Sequence, residues 1–293
     1  MIASAVQQHI LQLIQERTGS SASSGQFIPV GGGSINDTYR IKTNAGDEFF
    51  CKVNSHSTFP GLFEAEKQGL EILQAQNILR IPHVIGSTVT GDTQVLVLEW
   101  IGQGIRTAGF WKLFGEQLAA LHMVQDSLFG LPADNYMGAL VQHNKQEDDW
   151  TRFFIRQRLE PQIKLAFDSG LLSAQEVSPF ERVYVKLQEM FPVIGPSLLH
   201  GDLWSGNFLC DEEGQPVLID PAVYYGHPAV DLAMTTLFGG FDPAFYESYN
   251  HIKTFPPNYR EQWEVCNLYP LLIHLNLFGE SYKSDILRTI RHY

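Results

Sequence analysis

The sequence predicts an α+β fold in two lobes: a small five-stranded antiparallel sheet with one main helix, followed by a mostly α-helical lobe. Two contrasts and one connector carry that expectation. Up to residue 99 the chain is dominated by short apolar runs separated by turn residues, the mark of strands and hairpins. From Phe110 onward Leu, Phe and Ile recur at helical spacing nearly to the last residue. Between the two regimes lies a glycine-containing connector, Trp100-Ile101-Gly102-Gln103-Gly104, where a hinge belongs. Strands first and helices after define the α+β class. The boundaries are 1–99 for the sheet lobe, 100–104 for the hinge and 105–293 for the helical lobe, which holds a polar loop at 198–221.

Taken in order, Ile2, Val6, Ile10, Leu13 and Ile14 have the period of an amphipathic helix that ends at Gly19. Gly19 to Gly25 is a serine-rich linker. Gln26–Val30 and Thr38–Lys42 are strands joined by Gly31-Gly32-Gly33-Ser34-Ile35-Asn36-Asp37. Glycines let a backbone approach phosphate closely, so Gly32, Gly33 and Ser34 are candidates to cover one. The turn is not G-x-x-x-x-G-K-[ST] and no helix follows it, which excludes the P-loop and dinucleotide-binding readings. Phe49 to Val53 is the third strand, with Lys52 embedded among apolar neighbours, a costly position for an ammonium without a partner. The helix from about Gly61 to Gln76 offers Glu66 as that partner, because Phe63, Glu66 and Leu70 share a face from which Glu64 and Glu71 tilt away. Val84-Ile85 and Gln94–Glu99 complete the sheet around a turn at Thr90-Gly91-Asp92. Beyond the connector, helices are expected at 111–123, 148–167, 173–190, 229–238, 243–249, 259–278 and 281–291.

Composition narrows the partners. The chain has 293 residues and a formal net charge of −12, which argues against nucleic acid and against an anionic membrane surface. Three cysteines without C-x-x-C spacing suggest a reducing compartment and no zinc site. No apolar run approaches membrane-spanning length and the first residues do not read as a signal peptide, so a cytoplasmic location is expected.

The chemistry concentrates in His200-Gly201-Asp202-Leu203-Trp204-Ser205-Gly206-Asn207 and the apolar run that ends at Asp220. Asn207 follows Asp202 by five residues and Asp220 follows Asn207 by thirteen, the spacing of a kinase-type catalytic loop H-R-D-x-x-x-x-N and its metal-binding aspartate, with glycine in place of the arginine. Asp202 would accept the proton of a substrate hydroxyl, while Asn207 and Asp220 would supply hard oxygen ligands to Mg²⁺ on the phosphates of ATP. Phe208–Cys210, the turn at 211–215 and Val217–Ile219 read as a hairpin that returns Asp220 toward Asn207. Lys52, braced by Glu66, would reach the nucleotide phosphates, and the backbone of Glu99, Trp100 and Ile101 is placed to read an adenine edge.

This loop, together with Asp220-Pro221-Ala222-Val223-Tyr224-Tyr225-Gly226-His227 and Asp231-Leu232-Ala233-Met234, closely resembles the fructosamine kinase (ketosamine-3-kinase) family, which belongs with the aminoglycoside phosphotransferases in the protein-kinase-like fold. The likeness extends along the whole chain, through Asp134-Asn135-Tyr136, Arg158-Leu159, Leu237 to Phe241 and His274-Leu275-Asn276. It implies ATP-dependent phosphorylation of the 3-hydroxyl of a ketosamine, such as a fructosamine or ribulosamine, in deglycation repair. A monomer or weak dimer is expected. In that reading Trp204 offers a flat face to the sugar, and His227, His274 and Asn276 are candidate partners of its hydroxyls. Ser34 stands where several members carry a cysteine in the glycine-rich turn, so a redox switch at that place is not expected. The alternatives are an aminoglycoside or other small-alcohol phosphotransferase of the same fold, and a non-catalytic binding module.

Overall fold

The computed structural model describes residues 2–31 and 35–293. In chain order the elements are α1 (Ser4–Thr18), β1 (Gly25–Pro29), β2 (Asp37–Thr43), β3 (Glu48–Ser55), α2 (Leu62–Gln74), β4 (Val84–Thr90), β5 (Thr93–Glu99) and α3 (Ala108–Leu121). There follow β6 (Asn135–Met137), β7 (Leu140–Gln142), α4 (Trp150–Phe153), a π-helical turn at Phe154–Leu159, α5 (Glu160–Asp168), α6 (Ala174–Val177), α7 (Phe180–Met190) and β8 (Ser197–Leu199). The chain ends with β9 (Phe208–Cys210), β10 (Pro216–Leu218), β11 (Tyr224–Gly226), α8 (Ala229–Leu237), α9 (Pro243–Ile252), α10 (Tyr259–Cys266), α11 (Leu268–Phe278), a 3₁₀ turn at Glu280–Tyr282 and α12 (Lys283–His292). These elements form two compact units, one of residues 1–110 and 208–221, the other of residues 111–207 and 222–293.

In the first unit five antiparallel strands lie in the order β1-β2-β3-β5-β4. Val6, Ile10 and Ile14 of α1 pack on Tyr39, Ile41, Cys51, Val95 and Val97. Gly19, at φ +72°, stops that helix in the left-handed conformation glycine tolerates. The stretch after it is no loose linker: Ala22 is fully buried, and the Ser20 hydroxyl donates to Asp47. The pleat of β3 sets the geometry of the site. Cys51 faces the α1 core, so its neighbour Lys52 emerges on the opposite face. The β9–β10 hairpin, which the sequence reading grouped with the helical lobe, packs with this unit. Arg80 holds it through a 3.0 Å bond from the Leu218 N–H to its carbonyl and through an ion pair with Asp211.

The second unit is mostly helical around a core that includes Phe153, Phe154, Leu187, Leu199 and Leu272. Three helices expected as continuous are each interrupted. Pro179 caps α7 and separates it from α6, while Pro161 opens α5 just after the π turn. Residues 259–278 divide at Asn267, with Pro270 in the first turn of the second piece. Proline lacks the N–H that an uninterrupted helix needs. The π turn has a use: it delivers Arg158, fully buried, to the Asn144 carboxamide at 2.8 Å and over the Tyr224 ring at 3.9 Å. Asn135 and Gln142 donate to the Val223 and Ala222 carbonyls at 2.8 and 3.0 Å, which fixes the backbone just after Asp220 and Pro221.

Candidate active site

The first unit assembles a buried cation with two carboxylates. Lys52 is 2% exposed, and its Nζ lies 2.6 Å from Glu66 Oε1 and 2.7 Å from Asp220 Oδ1. Glu66 is the helix glutamate the facing argument selects, whereas Glu64 accepts from Ser87 at 2.9 Å. Burial alone would lower Lys52, but Asp220 and Glu66 outweigh it and hold the ammonium above the ordinary lysine range. Burial pushes Glu66 up against the pull of Lys52. Asp220 has φ +53°, one of two non-glycine residues among those described with positive φ, and its side chain is 44% exposed. Aspartate adopts this conformation more readily than most residues, at a cost in strain that is characteristic of functional positions. At the connector the Glu99 N–H donates to the His83 carbonyl at 2.8 Å and its carboxylate pairs with Arg80 at 2.7 Å. Trp100 lies under the Arg40 guanidinium at 4.4 Å, and Ile101 is buried. Gly32, Gly33 and Ser34 lie outside the described residues.

The second unit holds the loop. Asn207 Nδ2 lies 2.8 Å from both the Asp202 carbonyl and Asp202 Oδ2, so the amide fixes the carboxylate against its own backbone. Gly201 has φ +84°, and a Cβ there would lie 2.0 Å from the Ala222 carbonyl oxygen, so only glycine fits. The loop backbone is clamped from beneath by Asp231 in the first turn of α8. Its two carboxylate oxygens accept the His200 and Gly201 N–H groups, each at 2.8 Å. The sequence reading expects Asp231 to brace the loop as the N-cap of this helix; it does brace the loop, but from within the first turn, and the N-cap is Pro228.

Asp231 is fully buried, and its second support is His122 Nε2 at 3.1 Å. Burial lowers His122, so the neutral ring donates Nε2–H to Asp231 and accepts the Tyr249 hydroxyl at Nδ1 over 2.8 Å. Burial would raise Asp231, yet the His122 hydrogen bond and the loop N–H groups outweigh it and hold the carboxyl below its ordinary range. Sequence reasoning takes Asp231 as a brace of the loop and His122 as a core or capping histidine, without joining the two. A signal was available: one aspartate within the apolar run Val230-Asp231-Leu232-Ala233 demands a partner.

The four sugar-contact candidates fall into two groups. Trp204 is half-buried above Gly206, where a Cβ would meet its ring at 2.4 Å, and it meets Phe238 edge to face at 5.6 Å. His274 lies 5.0 Å from the same Phe238 and donates Nδ1–H to the Pro270 carbonyl at 2.7 Å, which leaves Nε2 as an acceptor. Asn276 instead ties α11 to α5, donating to the Gln162 carbonyl and side chain at 3.0 and 2.9 Å. His227 is buried between Trp150 and Phe191, with Nδ1 accepting the Ala229 N–H. All three cysteines are free and buried, and burial pushes the Cys51 thiol up, so it packs as a small apolar side chain.

A lysine on the third strand of an antiparallel sheet, salt-bridged to a glutamate on the following helix, and an H-x-D-x-x-x-x-N loop on a helical unit are the parts of a phosphotransferase of the protein-kinase-like fold. A model of the family described as fructosamine kinase matches residues 6–293, and the chain belongs to that family. It is 40% identical over 272 residues to the probable ketoamine kinase of Enterococcus faecium, covering 92% of this chain and 96% of the relative. It is 37% identical over 284 residues to the protein-ribulosamine 3-kinase, chloroplastic, of Arabidopsis thaliana, covering 94% and 84% of the two chains. The crystal structure of a proposed fructosamine-3-kinase from Haemophilus somnus 129PT superposes with a TM-score of 0.88 at 27% identity, over 97% of this chain and 96% of the other. The protein is a kinase.

Proposed function

We propose that this kinase transfers the γ-phosphoryl group of ATP to the 3-hydroxyl of a ketosamine, the adduct of a sugar and an amine. The observation that carries the reading is the Asp202–Asn207 pair. In a loop clamped by Asp231, Asn207 holds one oxygen of the Asp202 carboxylate and thereby sets the plane in which that group meets a hydroxyl. The hydroxyl proton passes to Asp202 as its oxygen bonds to the γ-phosphorus, the bond to ADP breaks, and the proton leaves later to water. Lys52, held by Glu66, neutralises phosphate oxygens, a task suited to a buried lysine that stays charged. Asp220 and the carbonyl oxygen of Asn207 are hard donors that suit magnesium, which when bound would offset charge on the triphosphate. Trp204 supplies the apolar face for the sugar ring, and His274 Nε2 an acceptor for one of its hydroxyls.

The acceptor class follows the names of the relatives, which act on ketoamines and ribulosamines by their descriptions. Three unpaired cysteines fit a reducing, cytoplasmic setting. The test is phosphorus NMR of the product formed from ATP and fructosyl-lysine or ribulosyl-lysine, alongside a panel of aminoglycosides. A phosphate ester at the sugar's third carbon is the expected product. Turnover of an aminoglycoside with no turnover of either ketosamine would replace this reading.

A further inference from the structure

Within the helical unit, the start of α8, the end of α9 and the segment before β8 line a half-open cavity of about 370 Å³, within the range that holds a small organic molecule. No step of phosphoryl transfer uses it. Two polar groups in its wall lack counterparts. His227 is 6% exposed and its Nδ1 accepts the Ala229 N–H at 3.1 Å, which places the ring proton on Nε2. That N–H has no acceptor among the described residues, and the ring lines the cavity. Lys253, half-buried in the same wall, makes one long bond of 3.4 Å to the His122 carbonyl and pairs with no carboxylate among the described residues. Burial lowers it from the ordinary lysine range, with no carboxylate opposing that shift.

The rest of the wall is mostly apolar, with Gln125, Thr254 and Gln262 as its further polar residues. Phe255 lies 5.2 Å from Trp263 and 5.5 Å from Tyr249, and Ile194 and Pro256 also line the cavity. A half-buried ammonium without a carboxylate partner and an imidazole N–H without an acceptor, in the wall of one cavity, are the complement of one carboxylate. A dianion such as phosphate would find a single cation and mostly hydrocarbon. We propose that this cavity binds a small organic carboxylate with a flat apolar body, its charge on Lys253 and His227 and its body against Phe255 and Trp263. The place matters because Tyr249, in the same wall, donates to His122 behind the brace of the catalytic loop.

The test is calorimetric titration of the full chain with benzoate, in the absence of ATP and sugar, so that it is independent of the acceptor assignment above. Expected are saturable one-site binding, no binding of uncharged benzyl alcohol, and no competition by inorganic phosphate. Lys253→Met should weaken benzoate about tenfold or more, the worth of a charge-assisted contact, while Lys253→Arg retains it. Ile194→Trp, which enlarges a lining side chain to fill the cavity, should abolish binding and serves if Lys253→Met does not fold. Absence of saturable binding, equal binding of benzyl alcohol, undiminished binding in folded Lys253→Met, or displacement of benzoate by ATP would each overturn the proposal.

Discussion

Gly201 and Asp202 are adjacent and demand opposite things, one the absence of a side chain and the other a particular carboxylate. Replacing Gly201 by alanine places a methyl group 2.0 Å from the Ala222 carbonyl oxygen at φ +84°. The dihedral alone costs ~1–2 kcal/mol, and the clash must be relieved by moving the loop or the strand beside it. Gly201→Ala should therefore lower both the melting temperature and kcat, read by circular dichroism and by ADP release. Asp202→Ala removes the proposed proton acceptor while leaving the loop's backbone clamps in place. It should reduce kcat by ~10²–10⁴ with little change in nucleotide affinity, and unchanged turnover would remove Asp202 from that role. Lys52→Met keeps the volume but deprives Glu66 and Asp220 of their shared cation. ATP affinity should fall by at least about tenfold in a nucleotide titration, because the lost group is the buried charge assigned to the phosphates.

At the scale of elements the loop stands on α8, and α8 stands on His122 and Tyr249. Asp231→Asn retains a side chain of the same shape but can offer one oxygen where two are in use. A lowered kcat, by ~10²-fold, with KM for ATP nearly unchanged is expected, since a small displacement of the catalytic group suffices. An equal loss of both would mark Asp231 as merely structural. Much of this scale was legible in the sequence. Glu66 followed from helical facing, the β9–β10 hairpin from its turn, and the first sheet from alternating runs. The rest was hidden for definite reasons. β8 and β11 are three residues each, too short for any period, and they pair Tyr224 with Leu199 across a sequence gap that no local pattern reports. The long helices were read through their prolines, and the π turn has no compositional mark until Arg158 is seen to need a buried site. The candidates His227 and Asn276 come with the family resemblance, but neither a shared motif nor residue type says which way an imidazole or a carboxamide turns. Both are engaged within the helical unit.

For the whole molecule these buried groups fix how stability responds to acid. Burial lowers His122, and it lowers His227 to about 3, so both rings are neutral when folded at pH values where an exposed histidine would be charged. In the unfolded chain each takes up a proton near the ordinary 6.5. The unfolded state therefore binds more protons as pH falls below that value, and the stability that is fully present above it is lost progressively toward the folded-state values. Asp231 acts lower on the scale: its carboxyl lies below the ordinary 3.8, so its contribution persists above that pH and is lost only beneath it. The net charge of −12 works in the other direction, because acidification relieves self-repulsion. Most carboxylates titrate below about pH 5, however, so between about pH 7 and 5.5 the histidines decide the sign. Each contributes at most ~1.4 kcal/mol per pH unit, and urea unfolding should show a loss of about 1–3 kcal/mol across that interval. His227→Gln, which keeps an acceptor for the Ala229 N–H but cannot titrate, should reduce the slope by roughly a third to a half, since burial lowers His274 as well as His122. A wild-type stability that stays level or rises over the same interval would mean that the folded protein accepts those protons, and that the rings are not held neutral in its interior.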